Sequence, residues 1–212
     1  MIGHGGTLVI ATCNAGKTKE FREAFGALGI EVRDLREVEG VPDIEETGTT
    51  FADNALIKAR AVADIVGLPV LADDSGLCVD ALDGAPGVYS ARYSGEGATD
   101  ASNNAKLLRE LAAIGASVEV AGGGPDALSA GRFVCSLALY DPADGSVVRA
   151  EGAAEGYILR ESRGEGGFGY DPLFWVPAHG KSMAELTIAE KNAISHRGEA
   201  LRKLVELLRS SR

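Results

Sequence analysis

Residues 7–20, TLVIATCNAGKTKE, join two different periodicities across a very short polar turn. Thr7 to Thr12 is a β-branched, apolar run of strand character. Beyond the turn, Phe21, Ala24, Phe25 and Leu28 recur at helical spacing, and Gly29 is the expected helix stop. A strand that feeds directly into a helix points to an α/β protein, and the turn then sits at a strand end, where such proteins place their chemistry.

The turn almost spells a phosphate loop, G-x-x-x-x-G-K-[ST], with Ala11 in the first glycine position and Gly16-Lys17-Thr18 closing it. The stretch Val70 to Asp73 could then serve as the acidic strand of such a fold. Two features oppose that reading. Ala11 and Thr12 look like the end of the strand, and a helix that starts near Lys17 leaves a turn shorter than a phosphate cradle needs. Asn14-Ala15-Gly16 is also ordinary strand-to-helix turn chemistry. The strand-end placement, with Lys17 at a helix N-terminus, favours phosphate contact over a plain turn.

The next helix is well signalled. Thr50 and Asp53 form a capping pair, Phe51, Ala55, Ala59, Val62 and Val66 follow at helical spacing, and Gly67 ends the run. Pro69 to Asp73 reads as a buried strand that reaches an acidic turn, followed by Leu77 to Leu82 and a Gly/Pro loop. A helix is expected over Asn104 to Ile114, and Gly122 to Pro125 marks a connection within one domain. Arg132 to Tyr140 alternates, with Phe133, Cys135, Leu137 and Leu139 on one face, and Asp141 to Gly145 makes a hairpin turn. The sheet should therefore mix parallel and antiparallel pairs. Leu201, Leu204, Val205 and Leu208 define a final amphipathic helix. With 212 residues and no internal repeat, a single domain over 1–212 is expected.

Twenty-one basic against thirty-one acidic side chains give a formal charge of −10, which disfavours a polymeric nucleic-acid partner but not a small anionic substrate. Cys13, Cys78 and Cys135 are dispersed and odd in number, so neither a disulfide framework nor a cysteine-rich zinc site is expected. No basic segment precedes a long apolar run, and the expected location is cytoplasmic, away from a membrane.

Three further stretches carry candidate chemistry. Glu45-Glu46 precedes the capped helix, and Asp73-Asp74-Ser75-Gly76 ends an apolar run. Singly, these are a solvated loop and a common turn. Together they offer separated hard oxygen ligands of the kind that bind magnesium through one or two carboxylates, with substrate phosphates completing the shell. Lys58, four residues after Asn54, shares its helix face. Gly166-Gly-Phe168-Gly169-Tyr170-Asp171-Pro172 reads either as a tight turn with two packed aromatics or as a base-stacking surface on Phe168. Lys191, His196 and Arg197 supply hydrogen-bond donors before the last helix. His4 and His179 lack comparable polar company and receive no role.

Taken in order, TCNAGK, EETGTTFADNALIKA, LADDSGLCVDALDGAPGVYSARYSG, GGFGYDPLF and EKNAISHRGEAL closely resemble the inosine/xanthosine triphosphate pyrophosphatase family, from about Thr7 to Leu208. The resemblance implies an elongated mixed α/β fold with helices flanking the sheet, two lobes with the active-site cleft between them, dependence on Mg2+, and a homodimer. It also implies the reaction NTP + H2O → NMP + pyrophosphate on ITP, dITP or XTP, which cleanses the nucleotide pool. The family's T-x-N-x-x-K motif falls on Thr12, Asn14 and Lys17, so the substrate-binding turn is Thr12, Cys13, Asn14, Ala15, Gly16 and Lys17. Many members carry Gly where this chain has Cys13.

The implied metal ligands are Glu45 and Asp74, with Asp74 also the catalytic acid-base residue and Ser75 a substrate contact. Phe168, Gly169, Tyr170 and Asp171 form the implied base-binding turn, and Lys191, His196 and Arg197 the implied base-recognition donors. Gly122 to Gly131 looks like a variable insertion. Three alternatives stay open at this level. One is a related pyrophosphatase for modified pyrimidine or methylated nucleotides, another is a P-loop kinase or ATPase, and the third is a nucleotide-binding domain without turnover.

Overall fold

The structure is a computed structural model that describes residues 5–210, so His4 lies outside the described residues. The chain runs β1 (Thr7–Ile10), α1 (Ala15–Gly26), β2 (Glu31–Asp34), α2 (Phe51–Val66), β3 (Val70–Val79), α3 (Asp100–Ala113), β4 (Ala127–Asp141), β5 (Ser146–Leu159), β6 (Phe174–Val176), β7 (Lys181–Ser182), α4 (Ile188–Ile194) and α5 (His196–Ser210). Short 3-10 turns separate several of these elements. The strands form one sheet in the order β2-β1-β3-β4-β5-β6-β7. The pairs β1/β2 and β1/β3 are parallel, whereas β5/β6 and β6/β7 are antiparallel, so the expected mixed α/β sheet is present.

The residues divide into two compact units. Among the described residues the first comprises 5–74, 135–152 and 199–210, and the second comprises 75–134 and 153–198. In the first unit, Leu8 and Ile10 join Phe21, Phe25, Leu201, Leu204 and Leu208 in one apolar cluster, whereas Val9 between them joins Ala55, Ala59, Val62 and Val70 in another. Strand β1 is thus buried on both faces, which is why it reads as a continuous apolar run and not as an alternation. The alanines of α2 let that helix approach the sheet closely. The second unit is built on Leu77, Val79, Leu107, Leu111, Phe133, Ile158 and Phe174. Phe133 therefore does not share a cluster with Cys135, Leu137 and Leu139, although all four lie on β4.

Several local expectations are corrected. Helix α1 begins at Ala15, two residues before Lys17, because the Asn14 carboxamide caps it, and it ends at Gly26, before Gly29. Gly29, with φ of +69°, serves the following turn. Helix α3 starts at Asp100, four residues earlier than its apolar spacing indicates, because Thr99 and Ser102 form a reciprocal capping box. Strand β4 starts at Ala127, so the end of the suspected Gly122 to Gly131 insertion is sheet. A Cβ at Gly131 would lie 2.8 Å from the Cys78 carbonyl oxygen, so glycine is required there by close approach.

The largest correction concerns Asp73-Asp74-Ser75-Gly76, which is not a turn. It is the middle of the ten-residue strand β3. Val70, Leu71 and Ala72 are buried before it, and Leu77 and Val79 after it. An unbroken strand buries both apolar ends, and the two carboxylates are met by side chains of other elements, so turn propensity loses to packing. Residues Thr50, Asp53 and Gly67 cap α2 as expected, with Gly67 left-handed at φ of +65°. Among the described residues no helix is long and apolar enough to cross a membrane.

Asp34, at the end of β2, is fully buried. It accepts from Thr18 Oγ1 at 2.7 Å and from the Arg36 guanidinium and backbone N–H. The Arg36 guanidinium, with help from Thr18, holds the Asp34 carboxyl down at about 2. A carboxyl whose folded value lies below its unfolded one stabilises the fold above pH 4 and stops doing so as pH falls toward 2. Arg36 is half-exposed, so the contribution is held to about 1 kcal/mol. Asp34→Asn should lower stability at neutral pH by that amount, and chemical denaturation repeated from pH 7 to pH 2 should show a shallower acid loss than in the parent.

Candidate active site

In the first unit, three elements bring polar side chains together. Asn14 Oδ1 accepts from the backbone N–H groups of Gly16 at 2.9 Å and Lys17 at 3.1 Å, which closes the β1–α1 turn. The Asn14 N–H in turn donates to Thr12 Oγ1 at 3.1 Å. Two N–H groups that a phosphate cradle would offer are therefore taken by a side chain, and the geometry is that of an Asn cap and not of a P-loop. Thr12 is buried, Cys13, Asn14, Ala15 and Gly16 are exposed, and Lys17 is half-buried.

Lys17 reaches across to β3, where its Nζ donates to Asp73 Oδ2 at 2.8 Å. Strand alternation sends the next side chain, Asp74, to the opposite face. There Asp74 Oδ2 accepts from Asn54 Nδ2 of α2 at 3.1 Å. Lys58, one helical turn after Asn54, donates to Glu46 Oε1 at 2.8 Å and to the Asp73 carbonyl oxygen at 2.7 Å, and its Nζ lies 3.9 Å from Asp74 Oδ1. Asp73 is 2% exposed and Asp74 8%. Two ammonium groups beside buried carboxylates offset a charge density that burial alone would disfavour.

The structure thus assembles Lys17, Asp73, Asp74 and Lys58 around one strand. Asn54 carried no assigned role in the sequence, Asp73 only a place in the acidic stretch, and Glu46 and Lys58 were undecided there. Lys58 was legible from its helix face. Asn54 had a weaker signal, a poor helix former sitting among the apolar residues of a helix. Of the glutamates, Glu46 is half-buried against Lys58 and Glu45 is exposed.

The oxygen donors here are carboxylates, and among the described residues no three His, Cys, Asp or Glu side chains group to hold an ion. That donor set fits a hard cation that takes one or two carboxylates and draws the rest of its shell from phosphates and water. It does not fit zinc.

The remaining candidates lie in the second unit. Phe168 is 70% exposed, and the Lys191 ammonium sits 4.5 Å from its ring centroid. The buried Asp171 carboxylate accepts from the Phe168 N–H at 2.9 Å and pairs with Lys191. A Cβ at Gly167 would lie 2.2 Å from Asp171 Oδ2, so the glycine is what lets the turn wrap this carboxylate. Helix α3 clamps both sides of Gly169, with its N–H donating to Asp100 at 2.7 Å and its carbonyl accepting from Asn104 at 2.9 Å.

Tyr170 is buried, and its hydroxyl donates to the Ser90 carbonyl oxygen at 2.8 Å. Burial pushes its phenol well above the ordinary range. Only one of the two aromatics is packed, and the Asp171 N–H and Tyr170 carbonyl are both spent inside the turn, on the Phe168 carbonyl at 3.2 Å and the Leu173 N–H at 3.0 Å. His196 and Arg197 open α5, both half-buried, and the His196 imidazole stacks on Phe133 with ring centroids 5.3 Å apart. Ser75 follows Asp74 along β3 and is half-buried. His179 closes a 3-10 turn.

The model of the Ham1 family matches residues 8–207 of the chain. A dITP/XTP pyrophosphatase of Desulforamulus reducens is 51% identical over 201 residues, which is 95% of this chain and 94% of the relative. A dITP/XTP pyrophosphatase of Geobacillus kaustophilus is 52% identical over 199 residues, covering 94% and 92%. Among solved structures, a HAM1 protein from Coxiella burnetii superimposes with a TM-score of 0.85 at 45% identity, over 96% of this chain and 98% of that one.

Proposed function

The chain belongs to the Ham1 family, and from that premise we propose that it is a nucleoside triphosphate pyrophosphatase acting on nonstandard purine nucleotides. It hydrolyses dITP, ITP and XTP to the monophosphate and pyrophosphate. The observation that carries the catalytic part is the pair on β3, where Asp73 is engaged by Lys17 and Asp74 by Asn54, with Lys58 beside both. A buried carboxylate held by a neutral donor, within a strand flanked by lysines, suits work on a polyanion.

In this reading Lys17 and the Thr12–Gly16 turn restrain the triphosphate, and Asp74 orients the attacking water and takes its proton. The water oxygen bonds to the α-phosphorus as the bond to the bridging oxygen breaks, and pyrophosphate leaves with that oxygen. Phosphoryl transfer asks mainly for alignment and charge neutralisation, which lysines and a fixed carboxylate provide. Mg2+ is the proposed cation, held by Asp74 and Glu45, and when bound it would neutralise phosphate charge. Phe168 offers the base a stacking face, and Lys191, His196 and Arg197 supply donors that favour a 6-oxo group over the 6-amino group of adenine. The same reading makes the protein a cytoplasmic homodimer with no nucleic-acid polymer as partner, in keeping with a formal charge of −10.

The deciding assay runs dITP, ITP, XTP, GTP, ATP and modified pyrimidine triphosphates with and without Mg2+, measuring pyrophosphate and orthophosphate separately. The expected result is pyrophosphate release, fastest with dITP, ITP or XTP and lost on chelation. Orthophosphate as the product would overturn the assignment, and a faster pyrimidine substrate would move it to another pyrophosphatase class.

A further inference from the structure

Asn54 is a fully buried carboxamide in the first turns of α2, and both of its ends are committed. Nδ2 donates to Asp74 Oδ2 at 3.1 Å, and Oδ1 accepts from the Gly48 N–H at 2.8 Å. The Gly48 donor fixes which end of the amide is oxygen, so the end that faces Asp74 is the NH2 group. Gly48 itself answers to this contact. A Cβ there would lie 2.6 Å from Asn54 Oδ1 and 2.9 Å from Asp53 Cβ, although the φ of Gly48 is not left-handed. Glycine stands at 48 for closeness and not for conformation.

We propose that Asn54 is a positioning residue for turnover. It orients the Asp74 carboxylate and ties to it the loop that carries Glu45 and Glu46. This inference rests on the reading of Asp74 as the reacting carboxylate. The orienting part follows from the chemistry of the group. A carboxylate rotates about χ2 unless an oxygen is pinned, and a neutral amide pins one oxygen without adding a charge that competes for phosphate. The tether follows from Gly48, because moving residues 45–48 breaks the hydrogen bond from its N–H to the same carboxamide that holds Asp74. Lys58, four residues on, repeats the arrangement one turn later by joining Glu46 to the Asp73 carbonyl oxygen. Helix α2 therefore reaches both the loop and β3 through two side chains on one face.

Two variants separate the parts. Asn54→Asp keeps an acceptor for the Gly48 N–H and removes the donor to Asp74, whereas Gly48→Ala deletes no polar group but displaces the Asn54 carboxamide. Both are expected to lose about 10- to 100-fold in kcat for dITP, the usual cost of removing a group that orients a reacting one. Affinity of the metal-free Gly48→Ala protein, which carries no added charge, for a non-hydrolysable dITP analogue should stay near the parent value when measured by calorimetry. A melting curve taken alongside reports the folded fraction. If kcat per folded molecule matches the parent in both variants, Asn54 is only structural and the inference is overturned. Asp74→Asn is assayed in parallel. If it keeps near-normal turnover, the reading of Asp74 falls and the inference with it. If it is inactive while Asn54→Asp is not impaired, the inference alone fails.

Discussion

Asp74→Asn is expected to lower kcat for dITP by about 10³-fold, within the range for removing a positioned general base. Affinity for the nucleotide in the absence of metal should change little, and so should the melting temperature. The geometry separates these effects. Asp74 Oδ2 receives a hydrogen bond from Asn54 Nδ2, and an asparagine at 74 can turn its own carbonyl oxygen to that donor. The packing around β3 is then kept, because the substitution is isosteric. The position of Oδ1 becomes an NH2 group, which cannot take a proton from water. It also points a donor toward the Lys58 ammonium, 3.9 Å from Oδ1 in the parent. Burst and steady-state pyrophosphate measurements, with binding followed by calorimetry, distinguish lost chemistry from lost binding. Turnover within a few-fold of the parent would remove Asp74 from the reaction.

The sequence carried the elements better than it carried their contacts. Thr50, Asp53 and Gly67 bounded α2 correctly because capping chemistry is local, and a left-handed C-cap favours glycine at Gly67. The start of α3 was missed because Ser102 completes the box at Thr99 in place of the expected Glu or Gln. Asp73-Asp74-Ser75-Gly76 misled for a different reason. Its turn propensity is real, but a strand with buried residues on both sides overrides it. Family motifs named Asp74 and Lys17, yet nothing local revealed that Lys17 meets Asp73, since the two are 56 residues apart. Gly48 was equally silent, and Asn54 showed only that it was an odd residue for its helix face. Their meaning lies in a distance of 2.8 Å that only the fold sets.

The Lys17–Asp73 pair also makes a prediction in which stability and function move apart. Lys17 is 26% exposed and Asp73 2%, so Lys17→Met leaves a buried carboxylate without this cation. Breaking such a pair is costly, and with Lys17 partly wet the loss should be about 1–3 kcal/mol. The same variant should lose about 10²-fold in kcat/KM for dITP, the usual cost of deleting one charge-stabilising donor. Adding Asp73→Asn removes the buried charge that Lys17 faced, so the double variant should recover most of the melting temperature. It should not recover nucleotide affinity, because no ammonium remains at the end of the turn to meet phosphate. Affinity of each variant for pyrophosphate and for a non-hydrolysable dITP analogue, read beside melting curves, tests the separation. Full affinity in the double variant would make Lys17 a counter-ion of Asp73 and nothing more. Weak affinity with restored stability would mean that Lys17 serves two anions, Asp73 in the free protein and the triphosphate when substrate enters.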